Sequence, residues 1–320
     1  MIRQAPTGGN DPSGEDDKSL PRLDSCILLA GGLVPSPLAK LTGQLTLELW
    51  LSATETVFGR WCDVLDHLAL SAGIDHPSIR VVHSGPPYEP THVLADDRFE
   101  VRTMAEPDEF RGPAGVLRDV TKDDNPDSVI LVAEAARYIA GTITQLLADW
   151  SEHEPDVLVA RSPDGTPAGI TLMRASALDL VPETGFMDVK EQWLPRCIER
   201  GLDIRTSTTR NFMPFPLRTL EQFLVASSIA SGKPCPITER QPVLGRMNPI
   251  TRTEDKSRIA EDAKVARDAV VADAVVMPGA KVGPGAIVVR SLVCPGALVP
   301  EGDVVVDTVV AAARKGVPAG

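Results

Sequence analysis

The sequence predicts an α/β sheet domain followed by a short parallel β-helix, and three observations carry that prediction. Residues 259–310 repeat every 17 positions. Between residues 26 and 200, apolar runs of strand length alternate with segments of helical period. A proline-rich stretch, 233–251 (KPCPITERQPVLGRMNPIT), separates the two regimes.

The repeat has an inner structure. Units opening at Ile259, Val265 and Val271 make one pass, units at Val276, Val282 and Val288 a second, and units at Val293, Val299 and Val305 a third. Each pass holds two six-residue units and one five-residue unit, usually with a small or aliphatic residue four places after the opening one. Val275 and Asp303 are the two soft positions of that pattern. No helix seam has this period, and the Pro-Gly pairs at 278–279, 284–285 and 295–296 would break a helix. Short parallel strands wound on three sides fit it, with aliphatic residues inside and Gly or Pro at the corners. The stretch resembles the left-handed β-helix of hexapeptide-repeat proteins.

The body before it reads in order as follows. The first 24 residues, rich in Gly, Pro, Asp and Ser, are expected to be a disordered tail and not a signal peptide, whose apolar core they lack. Cys26 to Ala30 is a continuous apolar run, as in a strand buried on both faces of a parallel sheet. Residues 56–72 place Val57, Trp61, Val64, Leu65 and Leu68 on one helical face, closed by Gly73. Strands are predicted at 79–82, 128–132, 155–159 and 169–173, with helices at 143–150 and 188–200. The domain limits are therefore 1–24 for the tail, 25–232 for the sheet domain, 233–258 for the connector and 259–310 for the coil. Residues 311–320 would pack across the coil's open end.

Composition narrows the function classes. A net charge of −12 and a pI of about 4.9 leave no basic footprint for nucleic acid or an anionic membrane. No run approaches the roughly 18 apolar residues of a membrane span. Five widely spaced cysteines suit a reducing cytoplasm. All five histidines (His67, His76, His83, His92, His153) precede the coil, so it offers no histidine base for acyl transfer.

Six phrases in the body form a recognisable series. They are Leu28-Leu-Ala30-Gly31-Gly32, Phe110-Arg-Gly112-Pro-Ala114-Gly115, Val129-Ile-Leu-Val-Ala-Glu134-Ala135-Ala136, Thr166-Pro-Ala-Gly169-Ile-Thr-Leu-Met-Arg174, Pro182 through Asp188 to Pro195, and Pro216-Leu-Arg-Thr-Leu-Glu-Gln-Phe-Leu224. In this order, and ahead of a hexapeptide coil, they resemble the sugar-phosphate nucleotidylyltransferases. That family joins a nucleoside triphosphate to a sugar 1-phosphate, releasing pyrophosphate. The resemblance covers about residues 26–310 and implies a Rossmann-like nucleotidyltransferase sheet domain.

It also implies roles. Ala30, Gly31 and Gly32 would present backbone amides to phosphates. Gly112, Ala114 and Gly115 would let a base and ribose approach the backbone, and Gly169 would lie against the sugar. Two aspartates would hold Mg²⁺, but their positions read Ala135 and Pro216, and the loop arginine is missing. Glu134 stands one residue off, on the opposite side of the chain. Asp188, with Lys190 and Glu191, fits the cap of a helix. The expectation is a nucleotidyltransferase-like protein with weak or no catalysis and no metal site, acting as a nucleotide-sugar sensor or oligomeric partner. The alternative is an active enzyme with a rearranged Mg²⁺ site using Glu134 and Asp188. The coil would support a homo- or hetero-oligomer.

Overall fold

The sheet is built from strands that read as apolar runs because both of their faces are covered. The computed structural model describes residues 23–31, 35–52, 55–74, 77–84, 88, 99–106, 110–232 and 257–312. Gly32, His76, His92, Cys235, the tail through residue 22, the connector 233–256 and residues 313–320 lie outside these.

In chain order the sheet domain comprises β1 (Leu23–Leu29), α1 (Pro37–Thr42), α2 (Val57–Ser71), β2 (Ser78–His83), β3 (Glu100–Ala105), α3 (Gly112–Thr121), β4 (Val129–Glu134) and β5 (Arg137–Gly141). It continues with α4 (Gln145–His153), β6 (Val157–Arg161), β7 (Pro167–Arg174), α5 (Leu194–Glu199), β8 (Ile204–Thr208), β9 (Phe212–Pro216) and α6 (Leu220–Ala230). Seven strands form one sheet in the order β3-β2-β1-β4-β7-β6-β8. The period of two sends alternate residues to opposite sides. Cys26, Leu28, Leu131 and Ala133 join Trp61, Trp150 and Phe223 in one core, and Ile27, Ile130 and Val132 join Leu117, Trp193 and Cys197 in the other. Three layers result, with helices on both faces of the sheet.

Two elements depart from the sequence expectation. β7 runs antiparallel to both β4 and β6. Only residues 162–166 separate it from β6, and a parallel return needs a crossover of a dozen residues or more. The helix expected over 188–200 is a wide π-turn, Val189–Trp193, leading into α5. Pro195 has no N–H to give to the preceding turn, which closes instead through Trp193 N–H to the Asp188 carbonyl at 2.9 Å.

The coil follows the 17-residue register throughout. β10 (Arg258–Ile259), β13 (Val275–Val276), β16 (Leu292–Val293) and β19 (Val309–Val310) stack as one parallel sheet. β11 (Lys264–Val265), β14 (Lys281–Val282) and β17 (Leu298–Val299) make the second face. β12 (Val270–Ala272), β15 (Ile287–Val289) and β18 (Val304–Val306) make the third. Val276, Val282, Val288, Val293 and Val299 are buried inside, while Asp303 is exposed. At one corner Asp273, Arg290 and Asp307 all take positive φ, and the Arg290 guanidinium bonds both Asp307 oxygens at 2.7 and 2.6 Å. α1 packs against β19, so the sheet domain and the coil touch. Among the described residues, no helix is long and apolar enough to cross a membrane.

Candidate functional site

The carboxyl ends of β1 and β4 meet a two-stranded ribbon, and this edge gathers most of the residues singled out in the sequence. The ribbon pairs β5 with β9 antiparallel, placing Arg137 opposite Pro216. Its prolines are tolerated because both strands are edges. Helix α2 fixes it from below. The Arg60 guanidinium donates to the Ile139 and Gly141 carbonyls at 2.6 and 2.9 Å, and the Trp61 indole donates to the Ala135 carbonyl at 3.0 Å. The Leu217 amide donates to the Ala136 carbonyl at 2.9 Å. Ala135 and Pro216, more than eighty residues apart, therefore lie at one end of the same ribbon.

Glu134 ends β4 beside them, in the midst of cations. Arg137 Nε donates to Glu134 Oε2 at 2.9 Å and its Nη2 lies 2.8 Å from the same oxygen. Lys190 Nζ stands 3.9 Å from Oε1, and Arg218 Nη2 stands 3.9 Å from Oε2. Three positive groups thus share one carboxylate. The Arg137 side chain is 12% exposed, whereas those of Lys190 and Arg218 are 59% and 63% exposed. Among the described residues, neither exposed cation has a closer acidic partner.

The Mg²⁺ that the resemblance implies does not fit these donors. Mg²⁺ needs several hard oxygen ligands in near-octahedral array. Here the two expected carboxylate positions hold a buried methyl group and a proline ring. Glu134 is already engaged by Arg137, and a divalent ion beside it would face three cations at comparable range. Asp188 is committed to its turn, its Oδ1 accepting from the Lys190 and Glu191 amides at 2.7 and 2.9 Å.

The small residues of the motifs are approached by groups of the chain itself. A Cβ on Gly31 would come within 2.1 Å of Glu106 Oε1 and 2.5 Å of Ser84 Oγ. The Ala30 and Gly31 amides point to the Val82 carbonyl at 2.7 and 3.2 Å. Beside Gly112, at φ +69°, lie the Phe186 ring and the Met187 carbonyl; beside Gly115 lies the Arg111 side chain. Ala114, fully buried, donates to the Met187 carbonyl at 3.1 Å. Gly169, at φ +72°, would bring a Cβ within 2.0 Å of Arg137 Nε. Arg137 therefore rests on Gly169, over the face that the resemblance gives to a sugar.

A cavity of about 400 Å³ remains open at this edge, lined in part by Ala30, Gly31, Ser36, Ser84, Ala136 and Arg218. At the start of α3, the buried Arg111 ties the 182–187 loop in place. It donates to the Gly185 and Pro182 carbonyls at 2.9 Å each and pairs with Asp119 at 3.0 Å. Phe110 and Phe186 stack above it, ring centroids 4.7 Å apart.

Sequence reasoning found Glu134, Gly31 and Gly169 at this edge but missed Arg137 and Arg218. A signal was present. Each arginine stands two residues after a position where the resemblance expects a magnesium aspartate.

No protein-family model and no curated protein matches the chain. Solved structures do. A candidate glucose-1-phosphate thymidylyltransferase from Bacillus anthracis, in complex with a sucrose, superposes with a TM-score of 0.51 at 13% identity, covering 64% of this chain and 94% of that one. HddC from Yersinia pseudotuberculosis, complexed with GMP-PN, gives a TM-score of 0.49 at 13% identity, covering 65% of this chain and all of that one. With a seven-stranded sheet covered on both faces and strands stacked at 17-residue intervals behind it, this chain has the nucleotidyltransferase fold followed by a parallel β-helix.

Proposed function

We propose that the protein binds a nucleotide or nucleotide-sugar at the carboxyl edge of β1 and β4 and transfers nucleotidyl groups weakly or not at all. Its role is then that of a nucleotide-sugar sensor or of a partner in an oligomer joined through the coil. One observation carries this reading. The two positions that would bring carboxylates to a metal meet at one end of the β5–β9 ribbon, and they are Ala135 and Pro216. Nucleotidyl transfer rests on positioning and on cations that neutralise the phosphates in the transition state. A site without a metal carboxylate keeps the binding surface and loses most of that stabilisation. The thymidylyltransferase-like fold supports the ligand class. The open cavity beside Gly31 supports a retained pocket.

The test is a pyrophosphate-release assay on the purified full chain, with a panel of nucleoside triphosphates and sugar 1-phosphates. No turnover above background, together with calorimetric binding of a nucleotide or nucleotide-sugar, is the expected result. Turnover at several per second, within the ordinary enzyme range of about 1–10³ s⁻¹, would overturn the reading. Sedimentation would report the oligomer, and a monomer with its coil intact would remove the assembly role.

A further inference from the structure

We infer that the chain has exchanged the metal of its fold for a metal-independent diphosphate site, formed by Arg137, Lys190 and Arg218 around Glu134. The inference rests on the reading above, that a phosphate-bearing ligand binds at this edge, and names how the phosphates are held.

The charge count comes first. Three cations surround one carboxylate within 3.9 Å, leaving a formal surplus of two positive charges. A cluster that served only the fold would balance itself, because unpaired like charges repel. Here the least exposed cation alone makes close contact with the carboxylate, two of its nitrogens meeting Oε2 at 2.8 and 2.9 Å. The other two hold their heads largely in solvent, reaching toward the same point at long range. A diphosphate carries a matching excess of negative charge and enough acceptor oxygens to take both a guanidinium fork and an ammonium.

Position points the same way. Arg137, which opens β5, and Arg218, two residues past the end of β9, stand beside the two lost aspartate positions, and both side chains reach Glu134 there. Arg218 also lines the 400 Å³ cavity. The glycine loop is less suited to the anion. Glu106 lies against Gly31, hydrogen-bonded to Ser84 at 2.8 Å, and places a carboxylate where a phosphate would have to sit. The anion is therefore held at the ribbon and not in the loop. Glu134 orients Arg137 for it, and Gly169 leaves room for the arginine to lie flat.

The experiment is a calorimetric titration of inorganic pyrophosphate, and in parallel of nucleoside diphosphate sugars, into the full chain in EDTA. Wild type should bind without metal. Lys190→Ala/Arg218→Ala should weaken binding by about tenfold or more, equivalent to about 1.4 kcal/mol, with an unchanged melting temperature because both side chains are mostly exposed. Glu134→Gln, which keeps an acceptor for Arg137 and removes the competing charge, should bind as tightly as wild type or tighter. Binding that appears only with Mg²⁺, no binding of either ligand, or equal binding by the double variant overturns the inference. Nucleotide-sugars bound undiminished by the double variant would overturn this site while leaving the functional reading intact. Pyrophosphate held by the three cations with no nucleotide-sugar bound would support the site and sink that reading.

Discussion

Gly169→Ala is the sharpest perturbation of the cation cluster, because it acts through Arg137 without removing a charge. Gly169 has φ +72°, and the added methyl would stand 2.0 Å from Arg137 Nε and 2.7 Å from its Cζ. Two costs follow. Holding an L-residue in the left-handed region costs about 1–2 kcal/mol. Driving the guanidinium away breaks its contacts to Glu134 at 2.8 and 2.9 Å. A charge-assisted bond is worth about 1.5–3 kcal/mol, and the partial exposure of Glu134 puts this one toward the lower end. The sum is about 2–4 kcal/mol, which at roughly 2–4 °C per kcal/mol lowers the melting temperature by about 4–16 °C. Thermal unfolding followed by tryptophan fluorescence reads it. The decisive comparison is the same substitution in an Arg137→Ala background, where the three atoms nearest to the added methyl are gone. There only the backbone cost of about 1–2 kcal/mol remains, so the two changes are coupled and not additive. Equal effects of Gly169→Ala in both backgrounds would refute the argument that Arg137 rests on this glycine.

Three further outcomes are expected. Arg111→Ala removes the buried guanidinium from the Pro182 and Gly185 carbonyls and from Asp119, which keeps a third of its side chain in solvent, at a cost of about 1–3 kcal/mol; limited proteolysis should then cut within 182–187 first, and unaltered resistance counts against that role. Val288→Ala, inside the coil, should cost about 2 kcal/mol in urea unfolding, whereas Val304→Ala, 66% exposed, should change stability by less than about 0.5 kcal/mol. Burial raises the Cys26 thiol from the usual 9.0 to about 12, only partly offset by Arg80. A raised folded value gives stability that is whole below pH 9 and lost as pH climbs toward 12, by at most about 1.4 kcal/mol per pH unit. Urea midpoints of wild type and Cys26→Ala should therefore converge above pH 9, and parallel curves would show that the thiol does not titrate this way.

What the sequence disclosed and what it withheld follow one physical line. The coil was legible because stacking at a fixed interval forces the same chemistry on the residues at 276, 282, 288, 293 and 299. Strands β1 and β4 were legible because covering both faces leaves an unbroken apolar run. Edge strand β3 was not, since its largely exposed side chains, Glu100 to Ala105, carry no alternation. The ribbon of β5 and β9 escaped for another reason. Its pairing joins residues more than 70 positions apart, from Gly141 with Phe212 to Arg137 with Pro216, and nothing local in Phe212–Pro216 announces a partner. Glu134 could be placed beside the lost aspartate position from one strand alone. The meaning of Arg137 and Arg218 could not, because it depends on that long-range register bringing Pro216 opposite Arg137.

The register of the coil also has a consequence for how this part of the chain can change length. Every described strand from 258 to 310 pairs with the one 17 residues away, and the corners repeat at the same interval, as Gly279 with Gly296 and Gly285 with Gly302. Removing one residue would turn the inward valines of every later strand outward, whereas removing 275–291 as a block would bring β16 onto β10 with each side chain still facing as before. Growth and shrinkage are thus quantised in whole coils. Circular dichroism and unfolding of the two deletions would separate a shortened but ordered stack from a collapsed one. The length of the coil is then a quantity that evolution, or an engineer, can alter in steps of one whole turn.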